Sequence, residues 1–306
     1  MTRRPHLKIV LLVVTSTLAA GCAVIQPTAP LRSEIVFAST GRNELISVNA
    51  GLPSVVLTRV PVSGLQAGER LAGIDFRPAN GKLYGLGTTL RLYTIDPVSG
   101  AAAQVGSAPL ALRLAGSEFG FDFNPVVDRI RLVTDRGENL HVHPDTGAVV
   151  DSEPGQPGIQ IDVPLGYDDE DPHSGRPAHV NAVAYTNGGT PIAPKTTTNF
   201  AIDARLGQLV TLGTREGLSP AFAPATPNTG RLYTVGALGV QPDGPVSFDI
   251  ASGAKSGVRD GTAFAAFIPL GRSTASLYRI NLATGAATEL GVIDRGEPVS
   301  GIAIQP

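Results

Sequence analysis

The sequence has no tryptophan, one methionine and a single cysteine, Cys22, among 306 residues. A lone cysteine excludes an intramolecular disulfide and leaves a thiol free for modification. Without tryptophan the chain lacks the side chain most used to stack on sugars or quinone cofactors, although tyrosine can substitute. Charge is sparse and nearly balanced, with 24 Lys and Arg against 26 Asp and Glu. Loss of the first 21 residues removes Arg3, Arg4 and Lys8 and takes the formal charge from −2 to −5. No basic cluster stands beyond residue 33, which disfavours nucleic acid as a partner. Sustained helical periodicity is missing from residue 34 onward, which argues for an all-β chain. The nucleophile motif Gly-x-Ser-x-Gly and a phosphate-binding loop ending in Lys-Ser/Thr are absent as well.

Glycine and proline are abundant, at 36 and 25 residues, and they fall at reversals between β-branched runs. A short apolar stretch, a polar or Asx position and a Gly turn recur at 45–51, 92–100, 140–147, 200–207, 248–253 and 277–285. Asx and Pro preset a turn, and Gly supplies the positive φ that closes it. Each copy reads as a hairpin. A second element precedes the hairpins: Gly73-Ile74-Asp75-Phe76-Arg77-Pro78, Gly120-Phe121-Asp122-Phe123-Asn124-Pro125 and Gly301-Ile302-Ala303-Ile304-Gln305-Pro306. Weaker versions lie at 181–185, 221–224 and 262–265. Period-two alternation with a terminal Pro predicts the first strand of a blade.

The last copy of this strand ends the chain with no hairpin after it, and the first hairpin, from Ile35 to Val48, has no such strand before it. Pairing the two ends closes a ring without an open sheet edge. The expectation is a six-bladed β-propeller over residues 34–306, at roughly 47 residues per blade. The division of the degenerate copies between 221 and 265 decides whether the count is five, six or seven.

The N-terminus reads as an export signal. A basic start is followed by the apolar run Ile9–Ala20, too short to span a bilayer as a mature helix, and then Leu18-Ala19-Ala20-Gly21-Cys22. This resembles a bacterial lipoprotein signal peptide, which implies cleavage after residue 21 and lipid on Cys22. Ala19 stands where that box more often has Leu. Residues 22–33 then form a tether, and the protein is expected in the cell envelope, anchored to a membrane on its periplasmic or cell-surface face. Ala23, in place of Asp, suits outer-membrane sorting in a Gram-negative host. Thr2-Arg3-Arg4-Pro5-His6-Leu7-Lys8 also resembles a twin-arginine motif, with His6 where an apolar residue is usual.

The run from Gly120 to Val133, with Asn139-Leu140 and Pro144-Asp145-Thr146-Gly147, resembles the bacterial domain-of-unknown-function family 4394. The segments Gly73–Pro78 with Gly81–Tyr84, and Val180–Asn187, match its neighbouring repeats. The resemblance implies a propeller-like fold and brings no activity or catalytic residue.

Four constellations are candidates for chemistry. Asp122, Asn124, Asp128, Arg129 and Arg131 are the densest polar cluster on predicted strands, a binding site near the channel or an Asp–Arg network between blades. Asp75 and Arg77 in the preceding repeat favour the network. His141 and His143, two apart on a strand, would need His173 or His179 to make a metal site. The segment 151–179 interrupts the repeat with low strand character and holds Asp168, Asp169, Glu170 and Asp171. Hard cations take several carboxylate oxygens, so Asp168, Asp169 and Asp171 are candidate Ca²⁺ ligands, although the alternating spacing and central Gly of an EF-hand are missing. A solvated acidic loop or a lid over a partner fits the same composition. The functional reading is a lipid-anchored binding or scaffolding module for an unknown protein or small molecule. The alternative is a metal-dependent hydrolase or lactonase with a divalent cation held in the axial channel by acids from several blades.

Overall fold

The computed structural model describes residues 31–186, 196–214, 225–251 and 262–306. Chain order gives β1 (Ile35–Thr40), β2 (Glu44–Asn49) and β3 (Leu52–Pro61), then β4 (Leu71–Phe76), β5 (Leu83–Gly87), β6 (Leu92–Ile95) and β7 (Ala102–Val105). Next come β8 (Phe119–Asn124), β9 (Arg129–Thr134) and β10 (Asn139–Val142), the short β11 (Gly166–Tyr167), and β12 (Val180–Tyr185), β13 (Asn199–Asp203), β14 (Gln208–Leu212) and β15 (Arg231–Ala237). The chain finishes with β16 (Ser247–Ala251), β17 (Thr262–Phe267), β18 (Ser276–Ile280), β19 (Ala287–Val292) and β20 (Val299–Ile304). Among the described residues the only helical turn is the 3₁₀ segment Pro227–Thr229. No described helix is long and apolar enough to cross a membrane.

The strands form five sheets, ordered β20-β1-β2-β3, β4-β5-β6-β7, β8-β9-β10, β12-β13-β14-β15-β11 and β16-β17-β18-β19. Their leading strands touch in the cycle β4, β8, β12, β16, β20 and back to β4, which makes a closed five-bladed propeller. The expected pairing of the chain ends is present: β20 lies antiparallel on β1, with Val36 opposite Ile304 and Ala38 opposite Ile302. It completes the first blade of five, not a sixth.

The count of six arose from misplacing strands within blades. Phe248-Asp249-Ile250 belongs to the innermost strand β16 and not to a hairpin, 262–265 belongs to the second strand β17, and Phe200–Asp203 is likewise a second strand. The copy at 221–224 lies outside the described residues. The physical cause is burial on both faces. Five apolar clusters each occupy the gap between two neighbouring blades, so β5, β12 and β13 are buried at every position. A strand packed on both sides loses the alternation that would mark its rank in the blade.

Turn chemistry follows the repeat. Asp96 Oδ1 accepts the Val98 N–H at 2.8 Å and Asn281 Oδ1 that of Ala283 at 2.9 Å. Gly100 and Gly285 close these turns at φ 74° and 82°. The third blade has only three strands, its fourth being reduced to the Val142–Val149 bridge. The 151–179 insert follows from it and adds β11 as a parallel fifth strand beside β15 of the fourth blade.

Candidate functional site

The five innermost strands align in one register. Gly73, Gly120, Ala182, Ser247 and Gly301 line a small funnel at one mouth of the channel, with Ser300 beside them. Side chains two residues on share the same side of a strand, about 6.6 Å further along it. In the β4, β8 and β16 copies these are Asp75, Asp122 and Asp249; in the β12 and β20 copies they are Ala184 and Ala303. The glycines let the strands approach. A Cβ on Gly301 would sit 2.7 Å from the Ile74 backbone nitrogen, and one on Gly120 would sit 3.0 Å from that of Val183.

At this close approach the three carboxylates meet on the axis, buried, with an oxygen from each within 4.8 Å of the others. Each also reaches the next innermost strand of the ring. Asp75 accepts the Phe123 N–H at 2.8 Å, Asp122 that of Tyr185 at 2.9 Å, and Asp249 that of Ile304 at 2.6 Å. The Ile250 N–H, which follows an alanine-bearing blade, bonds instead to Asp249 in its own strand. Three carboxylates thus satisfy the equivalent N–H of four innermost strands, groups that would otherwise be buried without partners.

Burial is the main force on these acids. It pushes Asp75 well above the usual carboxyl range, with the negative charge of Asp249 adding to it. Asp122 is raised by burial and then by Asp75 and Asp249, and burial takes Asp249 up to about 7. Desolvation and like charges both disfavour ionisation.

The polar cluster expected around residues 122–131 separates into distinct groups. Asp122 belongs to the axis. Asn124 caps its own turn by accepting the Val126 N–H at 2.9 Å. Asp128, at φ 52°, pairs with Arg77, which also reaches Asp145 and the Tyr84 hydroxyl. Arg129 donates to the Asp128 carbonyl at 2.8 Å. Arg131 is buried and donates to Asp162, Asn139 and Asn228. These are blade-to-blade and strand-to-insert ties, the network alternative.

The histidines stay apart. His141 Nδ1 lies 2.8 Å from Asp162, His143 accepts the Asp145 N–H, His173 lies 3.0 Å from the Thr234 hydroxyl, and His179 is 3.8 Å from Glu118. In the acidic insert, Asp168 accepts from Arg231 and Tyr233, and Asp171 accepts from the Thr234 N–H and hydroxyl, while Asp169 is exposed. The insert fastens onto β15, and Tyr167 reaches the fully buried Asp203 at 2.9 Å.

Residues 44–303 match the family described as Domain of unknown function (DUF4394). The chain belongs to this family. No curated protein matches it. Among solved structures it is similar to a Myxococcus xanthus glutaminyl cyclase, at 16% identity over 80% of this chain and 87% of that one, with a TM-score of 0.43. A nidogen/laminin complex gives 13% identity, 89% and 98% coverage and a TM-score of 0.43. The Kuenenia stuttgartiensis hydrazine synthase gives 12% identity and a TM-score of 0.38 over 76% of this chain, which spans about half (53%) of that chain.

The family member's axial triad was partly hidden in its sequence. Asp75 and Asp122 stood in recognised strands, but Asp249 stood in a stretch read as a hairpin. The usable signal was a small residue, an apolar residue and Asp, as in Gly73-Ile74-Asp75, Gly120-Phe121-Asp122 and Ser247-Phe248-Asp249.

Proposed function

We propose that this propeller is a binding or scaffolding module of the cell envelope, tethered to a membrane through lipid on Cys22 and presenting its loops to a protein or small-molecule partner. One observation carries the preference for a binder over an enzyme. The carboxylates that converge on the axis are spent on the backbone N–H groups of the ring and lie buried beneath the funnel. The Arg77 and Arg131 groups are likewise used between structural elements. β1 begins beside the end of β20, whereas the start of β20 lines the funnel. Fatty-acid labelling in cells tests the anchor. Label is expected on the mature protein and lost in Cys22→Ala; an unlabelled mature protein refutes it.

The second reading, a metal-dependent hydrolase or lactonase, draws on the convergence of three oxygens within 4.8 Å. Hard cations such as Ca²⁺ take carboxylate ligands, yet here four backbone N–H groups already point at the same carboxylates, so the donor set fits a cation poorly. Thermal unfolding with Ca²⁺ or with EDTA separates the two readings. A site that binds only the folded state raises the melting temperature by mass action. No shift at millimolar Ca²⁺ is expected, and a rise that Asp75→Asn abolishes would favour the metal.

A further inference from the structure

We infer that the propeller closes around a shared proton, held between the carboxyls of Asp75 and Asp122 at neutral pH, taken from solvent as the ring forms and returned to it as the ring opens. The inference concerns the same axial acids as the reading above, but it stands whether or not Cys22 is lipidated. It begins with the donors. The three carboxyls offer six oxygens. The Phe123 N–H goes to Asp75, that of Tyr185 to Asp122, and those of Ile250 and Ile304 to Asp249. These donors do not part Asp75 from Asp122, whose buried carboxyls bring an oxygen each within 4.8 Å of the other. Two ionised carboxylates have no hydrogen to put there and repel each other; one proton turns the repulsion into an O–H···O⁻ bond.

Among the described residues that line the axis, none carries a positive charge. The other two innermost strands bring Ala184 and Ala303 to this level, and the funnel above is lined by apolar residues, glycines and the hydroxyls of Ser247 and Ser300. No Lys, Arg or His is among the strongest influences on the three acids, and the third member, Asp249, is another carboxyl. Burial raises all three, in the direction the geometry requires. The Asp75 and Asp122 bonds join the second blade to the third and the third to the fourth, so the proton sits where these two junctions meet.

The test uses the full chain and two readouts. Infrared spectra at neutral pH should contain the C=O stretch of a protonated carboxyl, and the unfolding equilibrium should report proton uptake on folding. Asp122→Asn keeps an oxygen for the Tyr185 N–H and replaces the shared proton with an amide N–H donor to Asp75. This variant is expected to fold, to lose intensity in that band, and to bind one proton fewer on folding. The pH dependence of its unfolding constant then weakens by about tenfold per pH unit relative to the parent. Asp122→Ala, which cannot donate, should lose the same proton and melt lower than Asp122→Asn. An unchanged band and slope in Asp122→Asn would overturn the proposal while leaving the binding role standing. A divalent cation that copurifies, and whose removal by EDTA makes the band appear, would overturn the proposal and favour the enzyme.

Discussion

Gly301→Ala should strain one of the two axial junctions that lack a bridging carboxylate. β20 meets β4 with Ala303 at its third position, so next to the axis the two strands meet backbone to backbone. A Cβ on Gly301 would lie 2.7 Å from the Ile74 nitrogen, 3.0 Å from the Gly73 Cα and 3.1 Å from the Gly73 carbonyl carbon. All three are backbone atoms of an innermost strand and cannot rotate away as a side chain can, so the blades must part by several tenths of an ångström. Overpacking of this kind costs about 1–3 kcal/mol, which for a domain near this size lowers the melting temperature by roughly 3–10 °C. The φ of Gly301 is not positive, so the penalty comes from the neighbouring blade. Gly166→Ala is the control, since nothing lies within 4 Å of the added atom and its φ is not positive either. Circular dichroism melts of both variants decide the matter. A Gly301→Ala protein that melts within a degree of the parent, or an equal loss in Gly166→Ala, would refute the argument.

Other predictions follow from buried charge. Asp249 sits at about 7 in the folded chain, above its unfolded value, so its favourable contribution is complete below about pH 4 and is lost as pH rises toward about 7, by a few kcal/mol in order of magnitude. Glu69 acts in the opposite sense: burial would raise it, but hydrogen bonds from Thr89 and Tyr93 prevail and hold it low, so its contribution is lost as pH falls through its folded value. Melting temperatures across mildly acidic to neutral pH should therefore fall with increasing pH, and a flat or rising profile contradicts the placement of Asp249. Asp162→Ala leaves Arg131 buried without its carboxylate; both side chains are almost fully enclosed, and such a loss costs about 3–5 kcal/mol. Denaturant titration should show the double change Arg131→Met with Asp162→Leu to be less destabilising than Asp162→Ala, and a harmless Asp162→Ala would show the pair to be solvated.

The ring and its closure were legible because turns and chain ends carry local signals: Asp96 and Asn281 cap their own reversals, and the terminal strand Val299–Ile304 stands alone with no hairpin after it. Blade number was not, since a strand such as Asn199–Asp203, buried at every position, has the same composition wherever it sits in a sheet. The axial acids were legible one at a time and not as a set. Residues 75, 122 and 249 meet only through ring geometry, and alanine at 184 and 303 breaks the repeat that would have linked them. The acidic insert misled for a similar reason. Asp168 and Asp171 suggest a cation when read beside their neighbours, whereas their partners Arg231, Tyr233 and Thr234 come more than sixty residues later.

β20, which completes the first blade, follows every other strand of the ring in chain order. Until Val299–Ile304 docks, β1 has an unclaimed edge facing the axis, and Ile304 cannot give its N–H to Asp249. Because β1 and β20 are the first and last strands of the ring, loop entropy sets against this latch the greatest separation among its strands. A chain still lacking β20 therefore carries a sticky β-edge, and removing Val299–Ile304 would return a closed ring to that vulnerable state.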